Sequence, residues 1–382
     1  MPAEVFEHFH RSRRPCDING RRVRPMESRH LKGVPLSIQK GQAETFFLLD
    51  GSGGIWILKK FHNGRNLDRG YLETVPKLLP AHPALLSGTQ REVLSCQSIR
   101  RTPGCHYSQQ LAQWLDGTLL MVRADGVDWA AVADQLRDRT LVLDRAQRLA
   151  LCKGLSEVVL LLEQCQIAHR DLSSGNVFID LRNWTVILID FDSLYHPSLP
   201  MPQATTCGTV GYAPPHAWNQ GVLDAGTSWC AGADRYALAL LNAEFLVLGA
   251  GAPLSAEGGI FDQDELRARS GKSIDLARGV LATEFPSVLP LFDAAIRSTS
   301  FATCPSPQEW LNACGCPQVK PPSLADIDEV EQDYFQRILD SRRPPAPLWA
   351  PPRLDDLPEP AFLPPVVPFH IVPLPSDPWS AS

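Results

Sequence analysis

The pattern of apolar and polar residues changes character near residue 140, with strand-like segments before it and helix-like segments after it. Glu44 to Leu49 and Ile55 to Lys59 are two strand-like segments, and the glycine-rich stretch 50–54 separates them. This arrangement predicts two strands joined by a hairpin turn. Because no helix start follows these glycines, we interpret them as a turn and not as a phosphate-binding loop.

Beyond residue 140 the apolar residues recur at helical spacing. Asp144, followed three positions later by Gln147, has the signature of a helix N-cap. The apolar residues that follow it share one helix face: Leu149, Cys152, Leu155, Val159 and Leu162. Two apolar strands are predicted at 177–179 and 186–189, and the apolar segment 236–250 predicts a buried core helix. That last segment is too short to span a bilayer.

Composition divides the chain into three zones. A basic stretch occupies roughly residues 1–30, a mixed apolar body extends to residue 316, and proline recurs in the tail 317–382. Because closely spaced prolines prevent regular hydrogen-bonded structure, we expect an extended tail with one short helix, which Ser323 and Asp326 would cap. The tail could pack along the body or bind a partner. The 382-residue length and 44% hydrophobic content fit a two-lobed body with flanking tails.

Charge and cysteine content narrow the range of function classes. The net charge of −6 argues against nucleic acid as the main partner, and we expect the basic N-terminal stretch to be a solvated arm. Ten cysteines without a repeated C-x-x-C pair, and a start without a secretory pattern, indicate a reduced setting. We therefore expect a cytoplasmic protein that does not enter a membrane.

The most informative residues follow the predicted long helix. The loop His169-Arg170-Asp171-Leu172-Ser173-Ser174-Gly175-Asn176 precedes one short strand, and the next strand ends at Asp190-Phe191-Asp192. These segments resemble the catalytic loop H-R-D-L-x-x-x-N and the metal-binding motif D-F-G of the protein-kinase superfamily. The four fixed positions of the first motif match, and Asp190 comes 19 residues after Asp171. The resemblance covers roughly residues 31 to 315.

The resemblance implies ATP and Mg²⁺ as cofactors and gives each polar residue of these motifs a role. Transfer of a γ-phosphoryl group needs metal ions that neutralise phosphate charge and a carboxylate that orients the attacking hydroxyl. Asn176 and Asp190 supply hard oxygen ligands of the kind that Mg²⁺ prefers. Asp171 is then the catalytic residue that accepts the hydroxyl proton. Asp192, which replaces the family's glycine, is a further candidate metal ligand.

Further matches lie upstream of the loop. Lys59 ends a predicted strand where the family places a catalytic lysine, and Glu73 lies where the partner glutamate of that lysine falls. Lys60 is the rival of Lys59, because adjacent residues of a strand face opposite sides. The resemblance assigns nucleotide binding to the lysine, to the one glycine kept from the glycine-rich loop and to a hinge segment: Gly41, Lys59, Met121, Val122, Arg123 and Ala124.

Matches continue downstream of the metal-binding motif. Gly208-Thr209-Val210-Gly211-Tyr212 resembles the G-T-x-x-Y segment that positions a peptide substrate and that kinases of small molecules lack. Asp234 resembles a buried aspartate that braces the catalytic loop. Arg170 precedes the catalytic aspartate, as in kinases switched on by activation-loop phosphorylation. We expect Thr205 and Thr206 to be the phosphate acceptors.

Four departures from the family pattern affect these expectations. Gly41 alone remains of G-x-G-x-x-G, and Ser173 replaces a lysine that meets the γ-phosphate. Asp192 stands where the family's glycine permits positive φ without steric cost, and Asp tolerates that conformation better than most residues. Pro214-Pro215-His216 and Cys304 replace the two members of a buried ion pair. Loss of one member would cost roughly 3 to 5 kcal/mol, whereas loss of both can be nearly neutral, so we expect a rebuilt lobe.

The sequence therefore predicts an α+β, bilobal protein-kinase-like fold, with a β-rich lobe over 31–122 and a helical lobe over 123–316. The implied function is an ATP-dependent protein kinase that phosphorylates Ser or Thr hydroxyls of a protein substrate. The D-F-D variant is similar to bacterial signalling kinases found with a von Willebrand-domain protein and a metal-dependent phosphatase, in triads linked to tellurium resistance. A pseudokinase-type nucleotide-binding scaffold, a small-molecule phosphotransferase and an unrelated α/β protein with loop-capping carboxylates are the alternatives.

Overall fold

The main sheet comes first along the chain and the longest helices come later, as the pattern of apolar residues predicts. The computed structural model describes residues 15–27, 35–40, 43–62, 68–100, 106–201, 208–219, 222–224, 226–249 and 259–315. Within these residues the fold is mixed α+β, with a curled β-sheet near the N-terminus and most of the helices after it. All of them belong to one compact unit of the chain, Met1–Ser341.

The described elements are numbered in chain order. The strands are β1 Cys16–Ile18, β2 Arg21–Pro25, β3 Ser37–Lys40, β4 Ala43–Asp50, β5 Ile55–Phe61, β6 Arg91–Val93, β7 Leu119–Val122, β8 Val127–Asp128, β9 Val177–Asp180, β10 Thr185–Leu188, β11 Trp218–Asn219 and β12 Val222–Leu223. The α-helices are α1 Arg69–Leu78, α2 Leu86–Thr89, α3 His106–Leu115, α4 Trp129–Arg137, α5 Arg145–Gln164, α6 Arg235–Val247, α7 Gln263–Ala268, α8 Lys272–Glu284, α9 Leu289–Arg297 and α10 Pro307–Cys314. Short 3-10 turns lie at Pro83–Leu85, Phe191–Ser193, Pro215–Ala217, Ala231–Asp234 and Phe301–Thr303.

The main sheet is antiparallel, with the strand order β1-β2-β4-β5-β7-β6 and with β3 paired to the first half of β4. The predicted hairpin between residues 44 and 59 is confirmed as β4 and β5. Its glycines form an ordinary turn, in which the Asp50 carboxylate accepts hydrogen bonds from the N–H groups of Ser52 and Gly54, both at 2.8 Å. These residues are therefore a connection between strands, as their composition indicates.

The prediction of a solvated arm over residues 1–30 is wrong for the part that the structure describes. Residues 16–25 form the hairpin β1–β2, and β2 pairs with the second half of β4. Ile18 and Val23 are fully buried. The sequence signal for this hairpin is weak, because Arg21, Arg22 and Arg24 leave few apolar residues in a short strand.

Different parts of the chain cover the two faces of the main sheet. Leu58 packs in one apolar cluster with α3. Ile57 and Met121, which are paired neighbours on β5 and β7, pack with the larger core that the helices form. Because strand residues alternate between faces, Lys60 lies on the α3 side of the sheet and Lys59 on the opposite side.

The helical part is built around α5 and α6. The predicted N-cap is confirmed, since the Asp144 carboxylate accepts from the N–H of Gln147 and the Gln147 side chain accepts from the N–H of Asp144. The predicted core helix is also confirmed as α6, whose residues from Tyr236 to Val247 are all buried. It packs against α5, α8 and α9. The small sheet β10-β9-β8 lies beside α5 and carries the loops of interest.

Some expectations fall on residues outside the described ranges. They are Gly41, the two candidate acceptors Thr205 and Thr206, most of the remaining basic arm, and the proline-rich tail for which one short helix is predicted. Within the described ranges, no helix is both long enough and apolar enough to cross a membrane.

Candidate active site

The β9–β10 hairpin brings the two candidate motifs together. Asn176 immediately precedes β9, and Asp190 follows β10 by two residues. The N–H of Ile189 donates to the main-chain oxygen of Asn176 at 3.1 Å, which continues the ladder between the two strands to their ends. Because antiparallel pairing places the start of one strand beside the end of the other, the two polar residues become neighbours.

Asp171 and Asn176 are joined directly. The Asn176 Nδ2 donates to the main-chain oxygen of Asp171 at 2.8 Å and to its Oδ2 at 3.2 Å. With the amide nitrogen committed to Asp171, the amide oxygen of Asn176 is the atom that could coordinate a cation. The 169–176 loop therefore holds its two candidate site residues against each other.

Asp171 lies in an environment that disfavours its charged form. Burial raises the pKa of the Asp171 carboxyl to about 7, and the nearby carboxylate of Asp190 acts in the same direction. Hydrogen bonds from Thr209 and Asn176 and the charge of Lys59 oppose this rise. A carboxyl whose pKa lies near neutral pH is matched to a role as general base.

Lys59 reaches this site from the sheet. Its Nζ donates to Asp190 Oδ1 and to Asp192 Oδ2, both at 2.7 Å. Burial alone would lower the pKa of Lys59, but the two carboxylates raise it above its ordinary value, so the lysine is charged. The structure therefore places Lys59 as predicted, with Lys60 on the other face of the strand.

The predicted pair between Lys59 and Glu73 is not formed. The Glu73 side chain is 46% exposed and accepts from Arg69 Nε at 2.7 Å, one helical turn away on α1. The residues of α1 that face the core are Tyr71, Leu72 and Val75. Glu73 lies outside that face, so the predicted contact of Glu73 with Lys59 is wrong in this structure.

Asp192 has two cationic partners, and both of its oxygens are engaged. Oδ2 accepts from Lys59, and Oδ1 accepts from Arg91 Nη1 at 2.9 Å. Burial would raise the pKa of Asp192, but Lys59 and Arg91 together hold it below its usual range. In contrast, burial raises the pKa of Asp190. Asp192 is therefore an ion-pair partner of Lys59 and Arg91, and its role as a further metal ligand stays a prediction.

Arg91 is the member of the site that the sequence analysis missed. Its side chain is 2% exposed. Arg91 pairs with Met121 across β6 and β7, and Met121 pairs with Ile57 across β7 and β5. Laterally paired residues share a face, and so do residues two apart on one strand, so Arg91 and Lys59 lie on the same side of the sheet.

The D-F-D turn directs Asp190 into the site and Phe191 away from it. Asp190 has φ 66° and ψ 59°, so positive φ falls on the first residue of the motif and not on Asp192. Asp adopts this left-handed conformation at lower cost than most residues. Phe191 is buried, with its ring 4.9 Å from that of His169 and directly against Gly88.

Asp234 braces the 169–176 loop, as the resemblance implies. Its carboxylate accepts from the N–H groups of His169 at 2.6 Å and of Arg170 at 2.7 Å. The Nε2 of His169 lies 2.7 Å from the main-chain oxygen of Ile189. These contacts fix the loop backbone, so His169 and Asp234 have structural roles.

Arg170 is committed to structural contacts. Its guanidinium is buried, donates to the main-chain oxygens of Ser193 and Ser228, and lies 4.6 Å from the centre of the Trp229 ring. These contacts tie the 169–176 loop to the segment that follows the D-F-D turn. The expectation that Arg170 meets a phosphate on Thr205 or Thr206 concerns residues outside the described ranges.

The predicted hinge follows β7. The N–H groups of Val122 and Arg123 donate to the main-chain oxygens of Gln90 and Ile55, both at 3.2 Å. Among the described residues, nothing accepts from the N–H of Ala124, so this group could donate to a nucleobase. Met121 lies on the Lys59 side of the sheet. The four predicted hinge residues are thus continuous with the strand that faces the site.

The segment 208–212 contacts the 169–176 loop at one end and the helical core at the other. Thr209 Oγ1 donates to Asp171 Oδ1 at 2.8 Å. The Tyr212 hydroxyl donates to both carboxylate oxygens of Glu244 on α6, at 3.2 and 3.0 Å. Trp129 Nε1 and the N–H of Ile260 also donate to Glu244. The G-T-x-x-Y motif indicates Thr209 from the sequence, whereas nothing in the sequence marks Glu244 as the partner of Tyr212.

The Pro214-Pro215-His216 segment packs close to Phe301, and the expected rebuilding of the lobe stays a prediction. His216 packs its ring against Phe301, with the ring centres 4.8 Å apart. Cys304 lies three residues further on and donates from Sγ to Ser298 Oγ at 3.1 Å. An aromatic contact therefore joins the segment 214–216 to the residues near Cys304.

The carboxylate and amide oxygens at the site are ligands of the kind that Mg²⁺ binds. In the described part of the chain, no three His, Cys, Asp or Glu side chains are arranged to hold a metal ion. Mg²⁺ needs only one or two protein oxygen ligands, since it keeps waters and binds substrate phosphates. Asp190 and Asn176 fit that requirement.

Comparison with known proteins adds no assignment. No protein-family model matches the chain, and no curated protein matches it significantly.

Proposed function

We propose that the chain is a phosphotransferase that uses ATP with Mg²⁺. Within that class, we propose a protein kinase that transfers the γ-phosphoryl group to Ser or Thr hydroxyls. One observation carries the proposal: Asp171, Asn176, Asp190 and Lys59 meet at the ends of the β9–β10 hairpin, through the bonds between Asn176 and Asp171 and between Lys59 and Asp190. These are the groups that phosphoryl transfer requires.

Each residue has a role that its contacts support. Asp171 accepts the proton of the attacking hydroxyl, and Thr209 and Asn176 fix its orientation. Lys59 holds phosphate oxygens through its charged Nζ. Asp190 and Asn176 would hold Mg²⁺, which neutralises phosphate charge when it is bound. The curled sheet that carries Lys59 and the helical part that carries Asp171 support a bilobal, kinase-like arrangement.

The segment 208–212 favours a protein substrate over a small molecule. Its two ends are fixed, by Thr209 to Asp171 and by Tyr212 to Glu244. A segment held in this way beside the proton acceptor offers a surface on which a peptide can lie. Ser173, which is buried, offers no charge to the γ-phosphate, so Lys59 is the main cation for the phosphates.

A nucleotide-binding scaffold without transferase activity is the second candidate. It is favoured by the exposed position of Glu73, because the lysine then lacks the partner that active members of the resembled family use. Both candidate functions require nucleotide binding, but only the kinase transfers a phosphoryl group.

Incubation of the purified protein with γ-labelled ATP, Mg²⁺ and a generic protein substrate tests the proposal. We expect label on the substrate with the wild type and at least about 100-fold less with Asp171→Asn and Asp190→Asn. Thermal stabilisation by ATP without labelling would support the scaffold. Equal labelling by wild type and Asp171→Asn would contradict the assignment of the site.

A further inference from the structure

The lysine of the site is held in an unusual way. Lys59 Nζ bonds two carboxylates, Asp190 and Asp192, that belong to one short turn. Glu73, on the neighbouring helix α1, is turned towards solvent and paired with Arg69. The position of Lys59 therefore depends on the D-F-D turn and not on α1.

Arg91 is buried at this site with a single described partner. Its Nη1 bonds Asp192 Oδ1, whereas its Nε and Nη2 are buried and have no hydrogen-bond partner in the described structure. An arginine buried with two unsatisfied donors carries a substantial desolvation cost. Among the described residues, the ion pair with Asp192 is the contact that offsets this cost.

The Lys59 cluster, defined as Lys59, Arg91, Asp190 and Asp192, contains two positive and two negative groups. Glycine in place of Asp192 would leave Arg91 buried without a counter-charge. Removal of Arg91 would leave two adjacent carboxylates with one lysine between them. The buried charge of each residue is therefore stabilised by the opposite charge of the other.

We propose that Asp192 and Arg91 together replace the helix glutamate as the positioning residues that hold Lys59 towards the nucleotide phosphates. This inference rests on the proposed function. Asp190 is also a proposed metal ligand, so a lysine held by Asp190 alone would compete with the cation for the same carboxylate. Arg91 fixes Oδ1 of Asp192 and thereby keeps Oδ2 directed at Lys59. Lys59 thus has a second carboxylate partner besides Asp190, the proposed metal ligand.

Steady-state kinetics with Arg91→Met, Asp192→Asn and Glu73→Gln test the inference. We expect the first two variants to raise KM for ATP and to lower kcat/KM by roughly 10- to 100-fold, because each removes a charged contact that orients Lys59. Arg91→Lys should recover part of the loss. Glu73→Gln should change kcat/KM by less than about twofold, and a loss as large as that of Asp192→Asn would overturn the inference.

Asp192→Asn keeps the experiment decisive if Arg91→Met does not fold. An asparagine at 192 still offers an oxygen to Arg91, so the fold is retained while the charge facing Lys59 is lost. The comparison with Glu73→Gln then decides between the two ways of holding Lys59. Unchanged kinetics in a folded Asp192→Asn variant would overturn the inference.

Thermal unfolding gives a readout that does not require transferase activity. We expect Arg91→Met and Asp192→Asn each to lower Tm by roughly 5–10 °C, and the double variant to fall no further than the worse single variant. Additive shifts would overturn the pairing. If the wild type transfers no phosphate while the shifts are non-additive, the proposed function fails and the Arg91–Asp192 pair stands.

Discussion

Thr209 Oγ1 donates a hydrogen bond to Asp171 Oδ1 at 2.8 Å, across 38 residues of sequence. The bond joins the segment proposed to position the substrate to the residue proposed to accept its proton. It also opposes the rise in the Asp171 pKa that burial causes. A change at Thr209 is therefore expected to affect both the proposed placement of the substrate and the proposed proton acceptor.

We expect Thr209→Val to lower kcat by roughly 10- to 100-fold, since a hydrogen bond to a charged group contributes roughly 1.5–3 kcal/mol. KM for ATP should change little, because the Thr209 hydroxyl bonds Asp171 and not Lys59. Thr209→Ser keeps the hydroxyl and serves as the matched control, with kcat within about threefold of the wild type. Equal losses of kcat in the two variants would contradict this role.

The adjacent lysines of β5 give a second matched pair. Lys60 Nζ donates to the main-chain oxygens of Trp114 and Asp116 at the end of α3, at 2.6 and 3.2 Å. We expect Lys60→Met to cost about 1 kcal/mol of stability, the value of a cation at a helix C-terminus, and to leave transfer intact. Lys59→Met should lower transfer by roughly 100- to 1000-fold, because it removes a charge aimed at the reacting phosphates.

The lysine comparison uses phosphate transfer and urea unfolding on the same preparations. A larger transfer loss in Lys60→Met than in Lys59→Met would reverse the assignment of the two faces.

Two glycines with similar backbone conformations differ in their surroundings. Gly117 has φ 71° and open space where a Cβ would lie, whereas a Cβ on Gly126, at φ 87°, would collide with the main-chain oxygen of Ile179. We expect Gly117→Ala to lower the free energy of unfolding by about 1–2 kcal/mol. Gly126→Ala should lower it by about 1–3 kcal/mol more, because the backbone beside the predicted hinge must shift. Equal denaturation midpoints for the two variants would contradict this prediction and show that β9 shifts at little cost.

Glu244 predicts a pH dependence of stability. Burial raises the pKa of its carboxyl from about 4.5 to about 7, although donors from Trp129, Ile260 and Tyr212 oppose the rise and no charged group is among its bonded partners. Its ionised form is therefore disfavoured in the folded state. The stability that depends on its protonation is present below pH 4.5 and is lost as the pH rises through 7.

We expect the Tm of the wild type to fall between pH 5 and pH 8, and the contribution of Glu244 to this fall is equivalent to roughly 2.5 kcal/mol. Glu244→Gln cannot ionise, so its Tm should change less over the same interval. Differential scanning calorimetry of both proteins at the two pH values measures the difference, and parallel falls in Tm would exclude Glu244 as the titrating group.

The parts of the fold that follow local rules could be predicted from the sequence. Apolar runs around a glycine-rich turn predict the hairpin β4–β5. The capping box of Asp144 and Gln147 predicts the start of α5. The convergence of Asn176 and Asp190 also follows from local pairing, because one tight hairpin connects them. These features need no knowledge of distant contacts.

The partners of Lys59 could not be predicted in the same way. A helical wheel of α1 places Tyr71, Leu72 and Val75 on one face and Glu73 off it, so the sequence did contain a signal against Glu73. Arg91 is different. A second carboxylate at Asp192 implies that a cation lies near it, but only the pairing of β6 with β7 and of β7 with β5 determines which cation.

The hairpin β1–β2 has a practical consequence for work with the protein. β2 covers the half of β4 that β3 does not reach, with Val23 opposite Asp50 and Pro25 opposite Leu48. Proteolytic trimming of these residues would leave that strand edge open to pairing with a second molecule. We expect a preparation trimmed in this way to self-associate through β4. Light scattering would detect this association as an increase in particle size.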